Sequence, residues 1–165
     1  AKMKRAAAAL SEQVQNHKMK KIYTAVVHGR PVNMVDNYVD YMVKTPDGNY
    51  SQVVDKGITG AKKAELSYEV LKTIDGEAAG MPGTELSLVR VALKTGRHHQ
   101  IRVQMAGAGA PLWGDNKYNP EFVNKRGHFP IALRAFRLSF CHPTTGKRME
   151  FEVPCNWEQL ETKAD

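Results

Sequence analysis

The sequence predicts an α+β domain: a largely antiparallel mixed sheet with a few flanking helices. Three observations carry that prediction. Short runs rich in branched and aromatic residues recur along the chain. Two intervals between them, Pro46-Asp47-Gly48-Asn49 and His142-Pro143-Thr144-Thr145-Gly146, have the residues that tight reversals need. Helical spacing is confined to the N-terminus and to one short segment after Gly96. No repeat, low-complexity region or flexible linker interrupts the 165 residues, so residues 1–165 read as a single unit.

Residues 2–16 place Met3, Ala7, Leu10 and Val14 on one stripe, with Lys4, Arg5, Ser11 and Gln15 mostly off it, which predicts an amphipathic helix. Residues 20–29 read as a strand stopped by Gly29, with Tyr23, Ala25 and Val27 on one face and Ile22, Thr24 and Val26 on the other. A hairpin is expected from residues 37–44 and 50–54. Residues 64–70 alternate as a strand with one wet face, and a loop from Gly76 to Gly83, containing Pro82, leads to a strand at 86–93. Ile101 and Met105 recur at helical spacing, and Gly107-Ala108-Gly109-Ala110-Pro111 ends that helix. Leu112 to Tyr118 form a compact loop, and residues 131–141 and 147–153 form the final hairpin.

Composition is that of an ordinary globular chain, 42% hydrophobic and 25% charged. No apolar run reaches the length of a membrane span, and the N-terminus has no apolar signal core. The two cysteines, Cys141 and Cys155, are read as reduced, which points to the cytoplasm. Net charge is +7 with a pI near 9.4. In the first thirty residues Lys2, Lys4, Arg5, Lys18, Lys20, Lys21 and Arg30 face only Glu12, while acids gather at 36–85 and 150–165. Such clustering predicts a basic face suited to a polyanion, with a salt-sensitive interaction as its signature. The chain begins at Ala1, directly in helix-forming sequence and with no cap, so it is expected to be a piece of a longer protein.

The densest chemistry lies in Thr95-Gly96-Arg97-His98-His99-Gln100-Ile101-Arg102, where a strand gives way to a helix. Unpaired amides at a helix start favour anions, and each guanidinium can bind two oxygens at once, so phosphate or carboxylate is expected there. His98 and His99 invite a metal, but neighbouring positions should point apart and no further ligand has suitable spacing, so no metal is expected. Asp115, in a Gly-Asp-Asn loop, is expected to bond nearby amides and fix the turn rather than to act as a catalytic acid. Trp113 and Trp157 are read as packing residues.

With these stretches placed, the chain resembles the RluA-type family of RNA pseudouridine synthases from its first residue to about Pro154. Leu93 to Arg102 is similar to that family's L-x-T-G-R-x-H-Q-I-R, and Gly109 to Tyr118 to its G-x-P-I-x-G-D-x-x-Y. Lys21 to Gly29 resembles K-x-Y-x-A-x-V-x-G, and Leu138 to Pro143 the closing L-x-F-x-H-P. The resemblance implies isomerisation of uridine to pseudouridine in structured RNA, ribosomal RNA first and transfer RNA as the alternative, without a cofactor. The glycosidic bond breaks, the uracil turns, and it rejoins the sugar through carbon. Such chemistry needs a carboxylate beside the sugar, a fixed cation to keep it ionised and aimed, and a platform for the detached base. The resemblance gives the cation's role to Arg102 and the platform to Tyr23, with Lys20, Lys21, Arg97, His99 and Gln100 as RNA contacts.

The chain departs from the family in one consequential way. The catalytic aspartate of the family lies in H-R-L-D-x-x-T-S-G, ahead of the first helix, and no such motif occurs in these 165 residues. Ala1-Lys2 is read as the end of the strand that would follow it, and the chain alone is expected to be inactive. Smaller departures are His98 for Thr or Ser, Gln104 for His, and Arg134 for His. The competing reading is a non-catalytic RNA-binding paralogue, and a third is a fragment that self-associates through a bare sheet edge.

Overall fold

A computed structural model of the chain describes residues 3–77, 83–127, 129–155 and 157. Ala1 and Lys2, read as the end of a preceding strand, and Pro82 of the connecting loop lie outside the described residues. The elements run α1 (Lys4–Gln15), β1 (Lys20–His28), β2 (Val35–Lys44), β3 (Ser51–Val54), β4 (Lys62–Asp75), β5 (Glu85–Leu93), α2 (Gln100–Gly107), α3 (Pro120–Val123), β6 (Leu133–Cys141) and β7 (Arg148–Glu152). The strands form one seven-stranded sheet in the order β3-β2-β4-β5-β1-β6-β7, and every neighbouring pair is antiparallel. This is the α+β architecture that the sequence predicts.

The hairpins close where the turn residues foretell. Between β2 and β3, the Asp47 carboxylate accepts from Thr45 Oγ1 and from the Asn49 amide at 3.1 Å, while Gly48 takes a φ of 73°. Between β6 and β7, His142 Nδ1 accepts the amides of Thr144 and Thr145 at 3.3 and 3.2 Å.

The sheet carries apolar residues on both faces. On one, Ala25, Val27, Leu66, Val89 and Val91 pack against Ile101 and Met105 of α2. This is the face on which period-two alternation puts Tyr23, Ala25 and Val27. On the other, Val26, Ile74, Leu86, Leu88 and Ala132 pack with Trp113 and Trp157, both of which act as packing residues as expected.

Three features differ from the sequence reading. Strand β4 runs on to Asp75, because a register shift between Val70 and Lys72 resets the alternation that had ended the reading at Val70. Helix α3 is an additional turn, started by the Asn119 side chain accepting from the Glu121 amide at 3.0 Å, with Pro120 at its first position. Helix α1 forms, but its Met3 and Val14 are 60% and 45% exposed, so the apolar stripe does not dock. Docking runs instead through Ala6, which is buried, and Gln13, whose amide bonds both the N–H and the C=O of Cys141 at 2.7 Å. Ala6 and Gln13 are seven residues apart, so they share a face about one residue round from the apolar stripe.

Candidate active site

The turn from β5 into α2 is built from side chains that bond to the backbone. The Thr95 hydroxyl accepts from the Glu65 amide at 2.8 Å and donates to Gln100 Oε1 at 2.8 Å. The same oxygen of Gln100 accepts the Arg97 amide at 2.9 Å, and Gln100 Nε2 donates to Glu65 O and to Gln104 Oε1. Gln104 passes the chain on to Asp40 at 2.6 Å. Gln100 is 3% exposed with its amide engaged on both ends, so it braces the turn.

That bracing sets His99 at the start of α2 in the left-handed region, with φ 53°. As a result His98 and His99 do not point apart as expected. Their rings stack with centroids 3.8 Å apart. His98 Nδ1 lies 2.9 Å from Ser51 Oγ, and His99 Nδ1 lies 2.9 Å from Tyr118 Oη. Among the described residues no group of three or more His, Cys, Asp or Glu is placed to hold a metal ion.

Arg102 lies two residues into α2, and its fork is taken by Asp115. Nε meets Oδ2 at 2.8 Å and Nη2 meets Oδ1 at 2.6 Å. Its guanidinium carbon sits 5.0 Å from the centre of the Tyr118 ring. Nη1 donates to His99 Nε2 at 3.2 Å. An arginine has no acceptor, so Nε2 must present its lone pair and the ring proton sits on Nδ1, donated to Tyr118 Oη. Burial first, and then the charge of Arg102, push His99 down to about 4, and the imidazole is neutral at physiological pH.

Asp115 has no exposed surface. It accepts the amides of Lys117 and Tyr118 at 2.9 and 3.1 Å, the turn-fixing role expected of it, in addition to the Arg102 fork. Burial pushes its carboxyl up, but the Arg102 hydrogen bond and charge together with the two amides outweigh it, and the net shift is downward. With its oxygens aimed at four donors it is a fixed anion that aligns Arg102, not a proton carrier. The Arg102–Asp115 pair was not legible in the sequence, because the residues are joined only through the reversal at 107–114.

Tyr23 lies half-buried on the sheet face that α2 covers, against the same cluster as Ile101 and Met105. The adjacent lysines separate: Lys20 is exposed, whereas Lys21 is partly buried and its Nζ lies beside Gly96, where a Cβ would be only 3.1 Å away. Burial lowers the Lys21 pKa. Arg97 is half-exposed and is anchored by Nε on Lys63 O at 2.8 Å.

The family model for RNA pseudouridylate synthase matches residues 1–107, spanning Tyr23 and the whole Thr95–Arg102 turn. The chain belongs to that family. Within it, the relatives fit the RluA-type branch. An uncharacterized RNA pseudouridine synthase of Bacillus subtilis, YlyB, is 35% identical over 147 residues, covering 88% of this chain and 43% of its own length. The ribosomal large subunit pseudouridine synthase D of Neisseria meningitidis is 34% identical, with 86% of this chain and 37% of the relative covered. The tRNA pseudouridine synthase C of Vibrio parahaemolyticus is 30% identical, with 89% and 63% covered. The chain thus spans less than half the length of the first two and under two thirds of the third. The human RNA pseudouridylate synthase domain containing 1 shares the fold, with a TM-score of 0.75 at 24% identity, over 94% of this chain and 62% of that one.

Proposed function

We propose that these residues form the C-terminal part of the catalytic domain of an RNA pseudouridine synthase that isomerises uridine in structured RNA. Ribosomal RNA is the first choice of substrate and transfer RNA the second, both represented among the relatives' names. The observation that carries the reading is a partly buried, aligned guanidinium. Arg102 is held on one edge by Asp115 and on its face by Tyr118, and at its other edge Nη1 meets neutral His99. A nucleophilic or basic aspartate brought to that second edge would be kept ionised and aimed. Tyr23 would receive the flipped uracil on its ring. No cofactor is required by this scheme, and two unbridged cysteines suit a cytoplasmic setting.

The chain contains no H-R-L-D-x-x-T-S-G motif, so we take it to be inactive by itself. The test compares pseudouridine formed in unmodified ribosomal RNA by the 165-residue chain and by the same chain with that segment from a relative fused ahead of Ala1. The expected result is turnover only with the extension. Turnover by the chain alone would refute its inactivity. Tight RNA binding with no turnover in either form would favour the non-catalytic binder instead.

A further inference from the structure

The hairpin of β2 and β3 stands beside the His98 turn, and between them lies a groove of about 510 Å³. Lys44, Lys62 and Arg97 line it, together with His98, Ser51, Gly60 and Gly96. No acid lines it, and among the described residues none of the three cations has a carboxylate partner within ion-pair distance. Glu65 is paired with Lys63 at 2.9 Å, and Asp47 is engaged by Thr45 and Asn49 in its own turn. The two glycines leave the floor open. A Cβ at Gly60 would meet nothing within 4 Å, and one at Gly96 only the Lys21 ammonium. At its inner end the groove is continuous with the active-site cluster, since His98 stacks on His99 and His99 bonds Arg102.

We propose that this groove seats the phosphodiester backbone of the RNA strand that carries the target uridine, with Lys44, Lys62 and Arg97 facing successive phosphates. The assignment rests on the RNA-substrate reading above and adds the β2–β3 hairpin to the RNA surface. Cations that line an acid-free channel are the arrangement that tracks a polyanion without reading its sequence. His98 supplies an independent mark of the same field. Burial, and then the charges of Lys44, Lys117 and Arg102, hold its imidazole below the ordinary histidine range. His99 stacks on it and Ser51 bonds it, and neither brings a negative charge. A phosphate in the groove would offset those cations.

The test measures binding of a fluorescein-labelled RNA stem-loop to this 165-residue chain by anisotropy across a KCl series. Each phosphate contact adds about 0.7–0.9 to the slope of log affinity against log salt, so the combined Lys44→Ala, Lys62→Ala and Arg97→Ala variant should lose roughly 2–3 from that slope. A charge-matched control, Arg126→Ala, Lys147→Ala and Arg148→Ala, should keep the wild-type slope. If the groove variant keeps the slope, or the control loses as much, the groove assignment fails while the RNA reading stands. If the wild-type chain binds no RNA, both fail. A second measurement needs no variant: the His98 ring resonances should titrate at higher pH with RNA bound than without, and an unchanged midpoint overturns the proposal.

Discussion

Replacing Asp115 by Asn preserves its volume and removes its charge, and the consequence follows from the donors around it. Oδ1 accepts from Arg102 Nη2 and from the Lys117 and Tyr118 amides, while Oδ2 accepts from Arg102 Nε. Asparagine offers one oxygen. Placed on the three-donor side, its NH2 group confronts the Arg102 Nε–H, and placed the other way it confronts three donors. Arg102 is left with a side chain only 16% exposed and no full counter-charge. Breaking a buried pair from one side costs about 3–5 kcal/mol, and at about 2–4 °C per kcal/mol for a chain of this size Tm should fall by roughly 6–20 °C. The pH dependence adds a signature. The folded state lowers the Asp115 pKa, so its contribution is present above the unfolded value near 4 and is lost as pH falls through the folded value. The stability gap between wild type and Asp115→Asn, followed by urea unfolding, should therefore narrow below about pH 4. An unchanged Tm at neutral pH, or a gap that persists in acid, would show that the pair does not hold the site.

Other perturbations give separate checks. The His99 imidazole should titrate near 4 by NMR, and since that lies below the usual 6.5, its contribution to stability should be lost as pH drops from about 6.5 to about 4; a midpoint at 6.5 would mean that burial and the Arg102 charge do not hold the ring neutral. Gly114→Ala should cost more than about 1 kcal/mol, because φ is 74° and the new Cβ would collide with the Pro130 carbonyl and come within 3.3 Å of Ile131 Cα; a wild-type melting curve would contradict it. In the extended protein, Tyr23→Ala should slow turnover roughly 5- to 150-fold, the rate equivalent of losing about 1–3 kcal/mol of base stacking. An unchanged rate would return Tyr23 to a purely structural role.

Most of the sheet was legible because its alternation is regular and its turns are chemically explicit: β1, β5 and the β6–β7 hairpin lie where the residues place them. The reading faltered where a local rule was overridden. At Val70 a bulge broke the period of two without ending the strand, and α1 bonds β6 through Gln13 while Met3 and Val14 of its apolar stripe stay exposed. The site followed the same division. The turn-fixing role of Asp115 was visible in its Gly-Asp-Asn loop. The pairing of Arg102 with Asp115 and the stacking of the two histidines were not. They depend on a chain reversal and on a left-handed residue, neither of which spacing encodes. The bracing role of Gln100 was not legible either, because a polar side chain in a polar turn looks exposed.

We propose Arg102 as the cationic half of an active site. Its most direct test is pseudouridine formation by the chain extended with the H-R-L-D-x-x-T-S-G segment, comparing Arg102 with Arg102→Ala and measuring RNA affinity in parallel. The variant should bind RNA nearly as well as the parent and form no pseudouridine. Parental turnover by Arg102→Ala would contradict it.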